Sequence, residues 1–448
     1  MSSNNISPRA VTIIGAGLSG LAAAQRFQDN GWNPVVYEKN SYVGGHAYTH
    51  SINGFLFDEG PHISFTKSGK IQSLFAQAVE DQFIEHNSLV YNLWQGYWIR
   101  HPVQFNLFGL PTDLIQRCLL DFVNAHYKAV ERSKVKTYAD WLFQELGETL
   151  SVEFPFRYTR KYWTVEPHQM STDWIGPRVH SPSLEEIVRG ALGPNPINQY
   201  YVNIFRYPLL GGFGSYVKAV GTAIDIRCGY EVASIDTKKH WIEFNDGRST
   251  AYDLLISTIP LPELIKNIVD APTLVRQASA NLRYTSLDLI NIGVNRDEGF
   301  PEMHWMYFYD EDILFSRGNF PHRLSPNNAP PGCGSIQVEV YNSKFRPLPT
   351  QDVLNRSIEQ LIKIDLLKKS DQFHVTQEKQ IEYANIIFDL ERTKNLTITL
   401  DYLNDIGIST CGRYGEWAYY WTDDSIISGW RSAEKIMGIT QTGIDRCN

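Results

Sequence analysis

An α/β fold is predicted for this 448-residue chain: a parallel-sheet nucleotide-binding domain interleaved with a mixed α+β domain made of a helical segment and an antiparallel sheet. Three observations predict it. A strand, a glycine turn and a helix open the chain, short apolar strands return mid-chain and near the end, and leucine-rich and then alternating segments lie between them. Val11 to Ile14 reads as a buried parallel strand and Leu18 to Phe27 as the helix after it. Gly15 permits the tight turn, Gly17 lets backbone approach a pyrophosphate at the helix N-terminus, and Gly20 lets helix and strand pack closely. The next strand, Pro34 to Tyr37, ends in Glu38, about twenty residues past the glycines, where a carboxylate accepts both ribose hydroxyls. The order strand, glycines, helix, strand, acid is the Rossmann-type fingerprint.

Residues 107–148 read as helical, with leucine periodicity from Leu114 to Val130 and again from Tyr138 to Leu146 before Gly147. Strand signals return at Glu231 to Ile235 and Trp241 to Phe244, the latter followed by the turn triplet Asn245-Asp246-Gly247. A short buried strand starts at Leu254 and is ended by Pro260. Leu287 to Val294, Trp305 to Tyr309 and Ser335 to Tyr341 form an antiparallel region. Arg413 to Met437 closes with a loop and a helix from about Ser425. The expected organisation is therefore cofactor parts at 1–95, 206–265 and 396–448, a helical substrate part at 96–205 and a sheet part at 266–395. Such interleaving points to a large flavoprotein whose substrate domain is threaded through its FAD domain.

Composition narrows the classes. An apolar fraction of 43% with 13% aromatics supplies a large interior, and the length fits two or three domains. A net charge of −8 argues against a nucleic-acid surface while leaving room for a local basic pocket. Cys118, Cys228, Cys333, Cys411 and Cys447 are scattered and form no C-x-x-C pair, which fits a reducing compartment and no zinc motif. Val11 to Ala24 imitates a signal-peptide core, but Arg9 is the only charged side chain before it and the glycines are spaced for a phosphate turn. No apolar run reaches spanning length. A cytoplasmic chain without metal is expected, its hard chemistry belonging to a cofactor, since no H-E-x-x-H, G-x-S-x-G or Cys–His signature occurs.

Glu38 followed by Gly44-Gly45-His46 resembles the second signature of the amine-oxidase-like flavoproteins, and within them the chain resembles UDP-galactopyranose mutases. Gly60-Pro61-His62-Ile63 is similar to the segment whose histidine lies beside the flavin. Tyr97 to Leu107, with His101, Pro102 and Gln104, resembles a family strand that usually carries tyrosine where His101 stands. Phe156 to Trp163 resembles the helix that grips the base, and Met170 to Val179 the segment with the first diphosphate arginine, Arg178. Gly211-Gly212-Phe213-Gly214 resembles a flavin-flanking turn; Trp305 to Phe308 and Phe315 to Arg317 resemble the segments with a tyrosine and the second arginine. Gly412-Arg413 through Tyr419 resembles the C-terminal flavin loop, with Arg413 on the FAD pyrophosphate.

The resemblance implies an FAD enzyme, active in the reduced form, that interconverts pyranose and furanose forms of a nucleotide-diphosphate sugar. Reduced flavin N5 attacks the anomeric carbon as the nucleotide leaves, without net redox change. His62, Arg178 and Arg317 would be catalytic. Gly15, Gly17, Gly20, Glu38, Gly45, His46, His62, Gly212, Val232, Gly412, Arg413 and Ser425 would hold FAD. Gln104, Tyr158, Trp163, Arg178, Tyr307, Arg317 and Tyr419 would bind substrate, and a reductant such as NAD(P)H is implied, with homo-oligomerisation left open. Two departures stand out: Asn385 replaces a tyrosine that contacts the diphosphate, and Trp421 stands where an acid or amide is usual. They point to a sugar other than, or additional to, UDP-galactopyranose, with deoxy and N-acetyl sugars favoured.

From the residues alone, each assignment has a structural competitor. Two always-charged forks suit a diphosphate in an acidic protein, yet Arg178 and Arg317 equally suit partner acids. Tyr158 and Trp163 form either a base platform or a core stripe, Gln104 either reads a base edge or is a satisfied buried amide, and His62 is either flavin partner or loop histidine. Arg160 reads as a solvated helix charge. An oxidase or dehydrogenase of the amine-oxidase group, with Trp417 to Trp421 as an aromatic wall, and a non-catalytic NDP-sugar binder stay open as alternatives.

Overall fold

The computed structural model describes residues 10–127, 135–221 and 223–439. Five parallel strands form the first sheet in the order Ile408–Thr410, Leu254–Ser257, Val11–Ile14, Pro34–Glu38, Asp225–Cys228. Three widely separated stretches of sequence therefore meet in one sheet, as the interleaved reading requires. Val11 and Ile13 are buried on the central strand, and Leu18–Gln28 packs its alanine-rich face beside the C-terminal helix Thr422–Met437. A Cβ on Gly429 would lie 2.1 Å from the Ser19 carbonyl oxygen, so the two helices touch backbone to backbone there. The three-stranded antiparallel unit Val232–Asp236, Trp241–Phe244 and Ser249–Ala251 sits in the middle cofactor part.

The second sheet has seven strands, ordered Phe373–Ile386, Tyr284–Val294, Gly334–Asn342, Arg317–Asn319, Trp305–Phe308, Val90–Trp94, Tyr97–Arg100. All pairs are antiparallel except Trp305–Phe308 with Val90–Trp94, which is parallel. That pairing corrects the boundary placed at residue 95: Val90–Trp94 belongs to the seven-stranded sheet, through a contact more than two hundred residues away in sequence. The boundary at 266 moves as well. Helix Thr273–Ala280 packs on Leu261–Asn267 and on Arg392–Asp405, so the sheet insertion starts at Tyr284. Phe373–Ile386, the longest strand, escaped the sequence reading because an edge strand rich in Gln, Glu and Lys shows no clean apolar alternation.

The helical part contains Thr112–Tyr127, Tyr138–Leu146 and Leu184–Leu192. The end of the predicted periodicity, residues 128–130, lies outside the described residues, as does Cys447. Thr137 and Asp140 cap the second of these helices reciprocally, the hydroxyl accepting from the Asp140 N–H at 3.2 Å and the carboxylate from the Thr137 N–H at 2.9 Å. Beyond Gly147 the chain passes through Val152–Phe156, which contains Pro155, into Arg157–Tyr162. This brings the Tyr158 and Tyr162 rings, 5.2 Å apart, towards the seven-stranded sheet. No helix among the described residues is long and apolar enough to cross a membrane.

Candidate active site

A cavity of about 940 Å³ runs from the glycine turn between the two sheets to the helical part. Its first end is built by backbone. Gly15 sits at a φ of +97°, and its N–H donates to the Tyr37 carbonyl at 2.8 Å, turning the chain out of the strand. Gly17 caps the following helix without offering a side-chain acceptor, so no side-chain cap satisfies the first-turn N–H groups beside the cavity. Gly45 crosses so close that a Cβ on it would lie 3.1 Å from the Gly17 Cα. Glu38, buried, accepts from the Ala16 N–H at 2.8 Å through one oxygen and from Asn40 through the other. Val232 and Ser425 line the same cavity. A glycine cradle, an uncapped helix N-terminus and a carboxylate at the end of the second strand fit a dinucleotide.

Midway, Glu59 gathers four donors: His46 Nδ1 at 2.9 Å, His50 Nε2 at 2.9 Å, Lys379 Nζ at 2.7 Å and the Tyr42 hydroxyl at 3.1 Å. Burial alone would raise its carboxyl, but the hydrogen bonds and charges of His46, His50 and Lys379 outweigh it and hold the group well below the usual carboxylate range. Three residues on, His62 Nδ1 faces the Gly60 carbonyl at 2.9 Å and must donate to it. Its Nε2 then carries the lone pair. Burial, with smaller contributions from His46 and Arg317, pushes the His62 imidazole down to about 4, so it is neutral at pH 7.

The far end is aromatic. Tyr162, Tyr200, Tyr201, Trp305, Tyr307, Tyr419 and Trp421 line it with Arg317 and Arg413. Tyr200 and Tyr307 share a hydroxyl contact at 3.1 Å, Tyr162 and Tyr419 another at 3.4 Å. Burial raises the Tyr200 and Tyr307 hydroxyls, leaving both as neutral donors. Arg317 is held by Glu339 in a two-point pair at 2.5 and 2.8 Å, the carboxylate also accepting from Tyr341 at 3.2 Å. Strand register causes the pair: Arg317 and Glu339 stand directly opposite each other. Among the described residues Arg413 pairs with no carboxylate; it donates to the Tyr420 carbonyl and to Asn385 Oδ1, and its buried Nε has no partner among them.

Not every expected residue reaches the cavity. Gly20 and Gly412 pack instead: a Cβ on Gly20 would lie 2.0 Å from the Gly15 carbonyl oxygen, and one on Gly412 2.2 Å from Ser19 Oγ. Gly212 abuts Thr49, whose hydroxyl accepts from the Gly214 N–H at 2.8 Å. Gln104 is the satisfied buried amide of its competing reading, donating to the His180 carbonyl at 2.9 Å. Trp163 is core, against Trp174 and Tyr419, and Tyr158 packs behind Tyr307. Arg178 lies outside the wall, its fork spent on the Trp174 and Tyr419 carbonyls and its plane between the Tyr419 and Trp421 rings. Arg160 pairs with Glu166 and Glu311 at the surface, while Lys161 is buried and donates to the Phe308 and Asp310 carbonyls. Of the Trp417 to Trp421 stretch, Tyr419, Tyr420 and Trp421 reach the cavity and Trp417 is core.

The model of flavin containing amine oxidoreductases matches residues 18–437 of the chain. The chain belongs to that family. Its members carry flavin, and the cradle built by Gly17, Gly44 and Gly45 has the form such a group needs. The chain is 26% identical over 386 residues to the phytoene desaturase of Fusarium fujikuroi, covering 74% of this chain and 66% of that protein. It is 24% identical over 191 residues to a 4,4'-diaponeurosporene oxygenase of Staphylococcus aureus, covering 40% of this chain and 37% of that one. The chain thus spans just under two thirds, or less, of the length of these relatives. The crystal structure of reduced UDP-galactopyranose mutase aligns with a TM-score of 0.89 and 26% identity, over 97% of this chain and 96% of that one. A CLA-producing fatty acid isomerase from P. acnes shares the fold, with a TM-score of 0.66 at 12% identity over 97% and 99% of the two chains.

Sequence reading missed Glu59, Lys379, Tyr200, Tyr201, Glu339 and Tyr341 as cavity residues. None sits in a local motif; each arrives by strand register or loop packing.

Four buried or half-buried histidines give the protein a defined acid response. Burial pushes His62, His304 and His322 down to about 4 and His101 down to about 3. Each binds its proton less readily when folded than when unfolded, near pH 6.5, so each costs stability as pH falls from about 6.5 towards 4. Asp58 opposes them, since burial raises it to about 6 and folding then favours its protonation. Four imidazoles acting together outweigh a single carboxyl. The melting temperature is expected to fall steadily from pH 6.5 to pH 4, measured by scanning fluorimetry; a flat profile would mean these imidazoles are hydrated.

Proposed function

We propose that this chain is an FAD-dependent mutase that interconverts the pyranose and furanose forms of a nucleotide-diphosphate sugar, using reduced flavin. One observation carries the reading: the whole chain follows reduced UDP-galactopyranose mutase, and Tyr307, Arg317 and Tyr419 line one cavity with His62 and the glycine cradle. Glu38, Gly17 and Gly45 would hold the dinucleotide, with Arg413 on its pyrophosphate. Bound reduced flavin would supply an electron-rich nitrogen able to attack the anomeric carbon and later leave it, with no net oxidation.

The chain's own residues have the remaining tasks. Glu339 takes the Nε–H and one Nη2–H of Arg317, which leaves the Nη1 edge to hold a departing diphosphate. A retained leaving group makes its return effectively intramolecular. Tyr307 and Tyr419 add hydroxyl donors from rigid stems. His62 presents a neutral Nε2 that accepts a hydrogen bond without adding charge. Arg178 positions the Tyr419–Trp421 segment. The aromatic lining excludes water from a site where charge separates.

A second reading, an FAD oxidase or dehydrogenase, is favoured by the desaturase among the relatives and by the Tyr419, Tyr420 and Trp421 wall. The test is NMR of a panel of nucleotide sugars, UDP-galactopyranose with deoxy and N-acetyl analogues, incubated with dithionite-reduced and with oxidised protein. Furanose product from the reduced form alone is expected, with Asn385 and Trp421 favouring the deoxy or N-acetyl sugars. Peroxide release by the oxidised form with an amine or other reduced substrate would establish the second reading instead.

A further inference from the structure

Lys161 lies on the short helix Arg157–Tyr162 with 3% of its surface exposed. Its described partners are two carbonyls and no carboxylate: Nζ donates to the Phe308 oxygen at 2.9 Å and to the Asp310 oxygen at 2.9 Å. The neighbouring acids are engaged elsewhere, Asp310 by the Gln95 N–H, Glu311 by Arg160 and Asp312 by Lys363. Burial pushes the Lys161 ammonium down to about 7, the pull of Asp310 only partly offsetting it. An apolar side chain of similar length would be buried without that cost. What lysine adds is a tie to backbone.

The tie joins two elements of the cavity wall. Tyr162 follows Lys161 in the chain, Phe308 follows Tyr307, and both tyrosines line the cavity. The helix issues from Val152–Phe156, where Pro155 offers no N–H to hold the preceding turn. One turn before Lys161, the Tyr158 ring meets Tyr307 edge-on at 5.3 Å and Tyr309 at 6.1 Å. From that seat the Tyr307 hydroxyl reaches the Tyr200 hydroxyl at 3.1 Å and Trp305 Nε1 at 3.3 Å. We propose that Lys161 is a positioning residue: its side-chain nitrogen ties the helix carrying Tyr162 to the strand carrying Tyr307, and so holds the Tyr307 hydroxyl where it meets the nucleotide. The inference rests on the nucleotide-sugar reading and adds a residue that touches no ligand itself.

The experiment is a double-mutant cycle on UDP binding to flavin-loaded protein, followed by the perturbation of the flavin absorbance, for wild type, Lys161→Met, Tyr307→Phe and the double variant. Lys161→Met keeps an unbranched side chain without its donors and is expected to weaken UDP roughly five- to twentyfold, with unchanged flavin content. Tyr307→Phe is expected to weaken it by a similar factor. If Lys161 acts through Tyr307, the double variant binds within about twofold of the weaker single variant. Loosened packing alone would multiply the two losses, and that result would overturn the assignment. So would UDP affinity in Lys161→Met within about twofold of wild type, whatever its melting temperature. Should Lys161→Met yield no loaded protein, Lys161→Gln, which keeps N–H donors on a shorter stem, goes through the same cycle under the same criteria. Normal UDP binding by Tyr307→Phe would overturn the inference while leaving the nucleotide reading in place. Wild-type protein that fails to bind UDP would defeat that reading, and the inference with it.

Discussion

Replacing Gly20 by valine is expected to yield protein that holds no flavin and melts far below wild type. The side chain would need space 2.0 Å from the Gly15 carbonyl oxygen and 3.2 Å from the Gly15 carbonyl carbon. Neither can yield, because Gly15 is fixed by its bond to Tyr37 and carries the phosphate turn. Overpacking in a compliant core costs about 1–3 kcal/mol. Here the obstacle is backbone, so the cost lies at or above the top of that range. The same change pushes the helix Leu18–Gln28 towards Thr422–Met437, where Gly429 already meets the Ser19 carbonyl. Chemical denaturation and the flavin absorbance of the purified variant measure both effects; wild-type flavin content in Gly20→Val would show that the turn is not the cofactor cradle.

Arg317→Ala is expected to act twice. Nucleotide binding should weaken by about 2–4 kcal/mol, roughly thirty- to a thousandfold, through loss of a charge-assisted contact to phosphate. Stability should fall as well, by about 3–5 kcal/mol at neutral pH, because Glu339 would be left buried without its cation. The double variant Arg317→Ala with Glu339→Gln separates the two. Removing the orphaned charge should restore much of the stability, while UDP affinity stays as low as in the single variant. Recovery of binding together with stability would mean that Arg317 serves only as a counter-ion to Glu339.

The cofactor half was legible in the sequence because its signals are local. Val11 to Glu38 encodes a strand, a turn, a helix and a carboxylate within thirty residues, and the structure sets Glu38 beside the Ala16 N–H of that very turn. The strands Trp241–Phe244 and Leu254–Ser257 announce themselves by short apolar runs closed by a turn triplet or a proline. The substrate half was legible only where a family motif marked it. Tyr307, Arg317 and Tyr419 reach the cavity as the resemblance implies. Gln104, Trp163 and Arg178 do not, because their local surroundings — a carbonyl within reach, an aromatic core, two ring faces — satisfy them first.

What sequence could not give was register. Glu339 faces Arg317 only because two strands pair at that step, and Val90–Trp94 enters the second sheet through a parallel contact with Trp305–Phe308. The Glu59 cluster draws on a hairpin and on Lys379 from the far edge strand. Pairings across hundreds of residues leave no periodic trace in either partner, so such clusters emerge only after the chain is folded.

The central claim is that reduced flavin acts repeatedly without being consumed. The measurement that tests it is product formed per reducing equivalent. Protein loaded with FAD is reduced anaerobically by one stoichiometric portion of dithionite, the excess is removed, and the preferred nucleotide sugar is added. The account predicts many furanose molecules per flavin, with the flavin still reduced at the end by its absorbance. Product capped at one per flavin, or flavin that reoxidises in step with product, would contradict it and identify the enzyme as an oxidoreductase in its chemistry as well as in its family.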